Sequence, residues 1–133
     1  MADTPDAAVR SYIDAFNRGD ADGMAGRFAA DGSILDGMAP HVWRGPSATS
    51  DWYRDVLTEG EHLGAGEYHV TIGDPSHDNV TGDSAYFVAP AGMTFKFKGQ
   101  QMTQTGATFT FALKREVGDW KIAAWAWAKG KAA

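Results

Sequence analysis

The chain of 133 residues has the length of one domain, with 44% hydrophobic and 22% charged residues, enough to bury a core without disulfides or metals and too little for two cores. Its formal charge of −5 arises from 17 acids and 12 bases spread along the sequence, with no basic cluster to neutralise phosphates, so nucleic acid is not an expected partner. No apolar run approaches the ~20 residues that span a bilayer, no basic segment leads into an apolar stretch after Met1, and cysteine is absent; a cytoplasmic protein without membrane contact is expected.

In chain order, Thr4, Pro5 and Asp6 read as an N-cap, a first-turn proline and an acid matched to the helix dipole. Ala8, Val9, Tyr12, Ile13 and Phe16 then share one face at helical spacing, and Gly19 ends the helix. Asp20 caps a second predicted helix, in which Ala21, Met24, Ala25 and Phe28 share a face until Asp31 and Gly32. A short extended run, Ser33 to Asp36, follows, and then a loop holding Pro40, His41 and Trp43. Gly45 and Pro46 introduce a third helix with Ala48, Trp52, Val56 and Leu57 inward and Tyr53 beside them. The stretch from Gly60 to Gly66 reads as a loop.

From about Glu67 the period changes to alternation. Tyr68, Val70 and Ile72 alternate with polar residues. Met93, Phe95 and Phe97 do so within a strand from Ser84, and Gly99 and Gln100 make a turn. Phe109, Phe111 and Leu113 alternate next, before a hairpin at Gly118 and Asp119. The last strand, Trp120 to Ala128, is apolar on both faces, so the helices are expected over one face and a second subunit over the other. Three helical stripes followed by a strand meander predict an α+β domain spanning residues 1–133. Five tryptophans, four tyrosines and seven phenylalanines exceed what a minimal core requires, as expected of rings around a concave space or at a subunit interface.

The four histidines, His41, His62, His69 and His77, lack metal-ligand spacing, and no metal site is expected. No serine stands in a nucleophile-elbow context, and no glycine pattern marks a phosphate loop. Three polar residues stand out. Asp36 follows the apolar pair Ile34 and Leu35 at the lip of the fold, where a carboxylate beside apolar walls suits general-base work; it also reads as a turn aspartate before Gly37. Tyr12 lies within an inward stripe, so its hydroxyl needs a partner. Tyr53 borders the buried face of the third helix.

Taken with Tyr12 and Ile13, Gly19 and Asp20, Phe28 to Asp31, Asp36, Gly45, and Trp52 to Arg54, the chain resembles the nuclear transport factor 2-like superfamily. Within it, the likeness is to the bacterial ketosteroid isomerases and the SnoaL-like polyketide cyclases. Gly118, Asp119, Trp120, Lys121 and Ile122 close the chain in a superfamily-like way. The resemblance implies a cone-shaped roll, with three N-terminal helices packed on a strongly curved, mixed, mostly antiparallel sheet. It also implies Asp36 as proton-shuttling base, Tyr12 as oxyanion donor and Tyr53 as the tyrosine that hydrogen-bonds Tyr12, with Phe28 replacing a further tyrosine of that network.

Ketosteroid isomerases add a protonated aspartic acid to the oxyanion hole. Here no Asp or Glu lies between Asp83 and Glu116, and the corresponding position falls near Phe111 or Thr110. The ligand expected is small and apolar or aromatic, lined by Phe28, Trp52, Phe109, Phe111, Trp125 and Trp127, with no metal or organic cofactor required. The chemistry would be isomerase- or lyase-like; a non-catalytic binding or dimerisation module of the same fold is the other reading. A homodimer through the outer sheet face is expected.

Overall fold

A computed structural model describes residues 1–132. It opens with α1 (Pro5–Arg18), whose ends the sequence marks: the Thr4 hydroxyl accepts from Ala7 N at 3.1 Å, and Gly19 closes the helix at φ 72°. The short α2 (Ala21–Gly26) is capped by Asp20, which accepts from Gly23 N at 2.9 Å. It stops earlier than the apolar spacing suggested. Phe28 belongs instead to β1 (Phe28–Leu35), because its backbone pairs in parallel with Ile122 of β7 (Asp119–Ala128). That long-range ladder outweighs a helical spacing interrupted by Gly23 and Gly26.

The expected loop holding Pro40, His41 and Trp43 contains β2 (Val42–Arg44), a short strand antiparallel to β1. Next, α3 (Ala48–Leu63) runs through Gly60, so the expected loop from Gly60 to Gly66 reduces to a turn at Gly64 before β3 (Ala65–Ile72). Gly60 is buried, and a Cβ there would stand 2.6 Å from the Ala65 carbonyl oxygen; only glycine lets helix and strand approach so closely. Leu57, expected inward, is exposed.

The remaining strands are β4 (His77–Thr81), β5 (Ser84–Phe97), β6 (Gln100–Glu116) and β8 (Lys131–Ala132). The sheet runs β2-β1-β7-β6-β5-β3, with β4 paired to β5 and β8 to β6. Only β1 and β7 pair in parallel among the described residues, so the sheet is mixed, mostly antiparallel and not closed. Register shifts between Ala91 and Met93 and between Ala112 and Leu113 are bulges, which bend and twist a sheet. The three helices pack on it, and Val9, Met24, Ile34, Phe87, Phe111 and Ile122 are fully buried in the core. No helix among the described residues is long and apolar enough to cross a membrane.

The second shift explains the last strand. Ala112 pairs with Ala124 and Leu113 with Ile122, so Ala123 is the extra residue and the in/out alternation reverses there. Trp120 and Ile122 before it are buried, and Trp125 and Trp127 after it line one interior cavity. All four large side chains therefore serve one side. The outer face, expected to be apolar, is so after the bulge through small residues, Ala124 and Ala126.

Candidate functional site

Between the helices and the sheet lies a cavity of about 470 Å³, within the usual range for small-molecule pockets. The first helix contributes Tyr12, Ile13 and Phe16; the third contributes Trp52, Val56, Glu59 and Leu63. From the sheet come Val70 of β3, Met93 and Phe95 of β5, and Phe109 of β6, with Trp125 and Trp127 of β7. Asp36, Gly37 and Met38, just after β1, close one side. Exposed Glu59, Leu63, Phe97 and Lys129 mark the mouth. The walls are predominantly apolar, with Asp36 and Tyr12 among their polar groups. The tryptophans wall the space without filling it.

Asp36 is positioned by its loop and by α3. Its backbone N–H donates to the His41 carbonyl at 3.0 Å, closing the loop after β1. Its Oδ1 accepts from Gly37 N at 2.7 Å and its Oδ2 from the Trp52 indole N–H at 2.8 Å. Two accepted bonds fix the plane of the carboxylate, and each oxygen keeps a lone-pair site.

Tyr12 is 2% exposed. Its hydroxyl accepts from the Trp125 indole N–H at 2.9 Å and lies 3.2 Å from the Thr49 hydroxyl. Burial pushes its pKa from 10.0 up to about 12, and the bonds to Thr49 and Trp125 partly offset that rise. Tyr12 is therefore a protonated hydroxyl throughout the neutral range. The two indoles that hold Asp36 and Tyr12 pack edge to face, with Trp52 and Trp125 ring centroids 4.9 Å apart. A continuous frame of two tryptophans thus joins the carboxylate to the phenol.

The expected bond from Tyr53 to Tyr12 is not formed. Tyr53 sits on the neighbouring side of α3, edge-on to Phe16 at 5.9 Å, and its hydroxyl approaches Gly19. Thr49, one turn before Tyr53, takes the place beside Tyr12, and sequence reasoning missed it. The available signal was its spacing, since Thr49, Trp52 and Val56 share a face at intervals of three and four.

Of the expected lining residues, Trp52, Phe109, Trp125 and Trp127 line the cavity. Phe28 does not: its ring packs 6.1 Å from that of Tyr12 and over Gly32, where a Cβ would collide with it. Nor does Phe111, which lies further along β6 between Phe109 and Phe87, at centroid distances of 4.3 and 6.1 Å. Thr110 faces a second hollow on the outer side of the sheet, so neither residue at the expected second oxyanion position reaches the cavity.

No curated protein matches the sequence, but solved structures match the fold. A hexachlorocyclohexane dehydrochlorinase from Novosphingobium barchaimii is similar at a TM-score of 0.79 and 13% identity, over 96% of this chain and 88% of that one. A ketosteroid isomerase-like protein from Erwinia carotovora atroseptica is similar at 0.72 and 20% identity, over 93% and 92%. A protein of unknown function from Mycobacterium tuberculosis is similar at 0.74 and 21% identity, over 95% and 69%. These likenesses establish the nuclear transport factor 2-like fold. The SnoaL-like domain matches residues 6–126, nearly the whole chain, and the chain belongs to that family.

Proposed function

We propose that this protein is a cytoplasmic, cofactor-independent isomerase- or lyase-like enzyme acting on a small, apolar carbonyl compound. The observation that carries the reading is that Asp36 and Tyr12 open onto one apolar cavity while being held by a shared pair of indoles. Asp36 takes a proton from the carbon next to the carbonyl, and the C–H electron pair passes into the enolate. Tyr12 donates to the oxygen on which the charge collects. Return of the proton at another carbon gives an isomer; departure of a leaving group from the enolate gives an elimination product. Isomerase-like and dehydrochlorinase names among proteins of this fold are of the reaction classes such a pair would serve.

The test is a screen of enones and β-keto compounds, following proton exchange at the α-carbon by NMR. Asp36→Asn keeps the shape and removes the basic oxygen, so exchange should fall by at least about a hundredfold. Exchange that survives the substitution would refute Asp36 as the base.

The alternative is a non-catalytic ligand-binding or dimerisation module. It draws on the bond from Gly37 N to Asp36 Oδ1, by which the carboxylate braces its own turn. On that reading the same compounds bind, and no exchange occurs with the unsubstituted protein. A homodimer through the outer face of the sheet accompanies either reading.

A further inference from the structure

Thr49 is a buried hydroxyl, 3% exposed, outside the lining of the cavity. Its side-chain oxygen has one hydrogen-bond partner among the described residues, the Tyr12 hydroxyl. The bond can run either way. If Tyr12 donates, the Thr49 proton is left buried with no acceptor, and the cavity offers it no water because Thr49 does not reach it. Leaving a buried donor unsatisfied is costly. If Thr49 donates, both hydroxyl protons can be used, since Tyr12 does line the cavity and its proton can meet whatever occupies it. The indole N–H of Trp125 can only donate, so its bond to Tyr12 does not alter the choice.

We infer that Thr49 is a positioning residue: it donates to Tyr12 together with Trp125, and so aims the Tyr12 proton into the cavity at the oxygen of the ligand. With both acceptor directions of the phenol oxygen occupied, its own O–H has one direction left. Each accepted bond also draws electron density from that oxygen and strengthens the donation it makes. The pair does for Tyr12 what the resemblance assigned to Tyr53. This inference rests on the reading of Tyr12 as the donor to a carbonyl oxygen, and it names the ligand group recognised, a single acceptor oxygen on an otherwise apolar body.

The experiment compares indanone with indane, which share a flat body and differ by the carbonyl oxygen. Affinity is measured by calorimetry, and the infrared stretch of carbonyl-labelled indanone reports the strength of the hydrogen bond it accepts. In the unsubstituted protein, indanone should bind more tightly than indane, with its carbonyl stretch lowered. Thr49→Val keeps the shape and should reduce that preference about fivefold, with part of the infrared shift lost; Thr49→Ser should restore both. Indane affinity should not change, which a merely structural role for Thr49 would not predict.

A preference that is unchanged or stronger in Thr49→Val overturns the inference, because an accepting Thr49 would have been holding the Tyr12 proton away from the ligand. In that case the donor reading of Tyr12 survives. No carbonyl shift in the unsubstituted protein, or one that persists in Tyr12→Phe, overturns the donor reading and the inference with it. If Thr49→Val does not fold, Thr49→Ala makes the same comparison, and loss of infrared shift in Trp125→Phe tests the second donor.

Discussion

Tyr12 is an acid held in its neutral form by burial, and this has consequences for chemistry and for stability. In the proposed reaction it keeps its proton at neutral pH and offers it to the substrate oxygen. Tyr12→Phe should therefore lower kcat by about a hundredfold and raise KM by a much smaller factor, since the bond is present in the ground state and strengthens as charge develops on the substrate oxygen. Steady-state kinetics on any substrate found by the enone screen checks this. In stability the sign follows from the direction of the shift. Above the unfolded value of 10.0 the unfolded chain loses the tyrosine proton, while the folded protein keeps it up to about 12, so the unfolded state gains and stability falls across that interval. Tyr68, whose pKa is also raised by burial and by Glu59, adds to the slope. Urea unfolding as a function of pH should show this alkaline loss, and Tyr12→Phe should flatten it.

At the scale of elements, one clamp ties together segments that lie far apart in the chain. Arg27, at the end of α2, donates from Nη1 and Nη2 to the two oxygens of Asp119 at 2.8 and 3.1 Å, and Ala2 N donates to the same carboxylate at 2.7 Å. The Arg27 guanidinium and then the Ala2 N–H hold Asp119 down at about 2, against an ordinary 3.8. A depressed carboxylate stabilises the fold above its unfolded pKa, and that contribution is lost as pH falls from 3.8 towards 2. Asp119→Asn should cost about 2 kcal/mol at neutral pH and remove that part of the acid sensitivity, as read by chemical denaturation at several pH values. Gly60→Ala should cost about 1–3 kcal/mol by driving the end of α3 off β3, measurable as a lowered Tm. The clamp also shows what the sequence could reveal. Thr4, Pro5 and Gly19 mark α1 because caps are local chemistry. The start of β1 depends on pairing with a strand some ninety residues away, and β4, exposed along its length, carries no apolar alternation to betray it. That Asp36 and Tyr12 line one cavity was legible through the resemblance, which pairs residues of these types. Thr49 was not, because a threonine on a helix says nothing until the tyrosine opposite it is placed. The bulge at Ala123 was likewise hidden, since only the ladder with β6 reveals which alanine of the pair is extra.

For the whole molecule, the outer side of the sheet is the remaining apolar surface to account for. Ala112, Ala124 and Ala126 form the base of a hollow of about 430 Å³ there. At its edges Leu35, Val42 and Tyr86 are 54%, 42% and 51% exposed. Small residues on a strand allow another surface to come close, and the large side chains around them supply projections that a hollow can receive. Two copies related by a twofold axis would satisfy both at once, since the same patch supplies projection and recess. A stable interface buries about 800 Å² per partner, so the contact must extend past the hollow along β6 and β7. We expect a homodimer at micromolar concentration by light scattering. Ala124→Glu, which places a charge on the base of the hollow, should give a monomer that keeps its helices and its cavity, as judged by circular dichroism and by unchanged affinity for indanone. A dimer that survives Ala124→Glu together with Tyr86→Lys would show that the copies meet elsewhere, and a monomeric unsubstituted protein would remove the interface altogether. Because β7 presents Trp125 and Trp127 to the cavity and Ala124 and Ala126 to the hollow, loss of indanone affinity on separation of the subunits would mean instead that the second copy helps hold Trp125 against Tyr12.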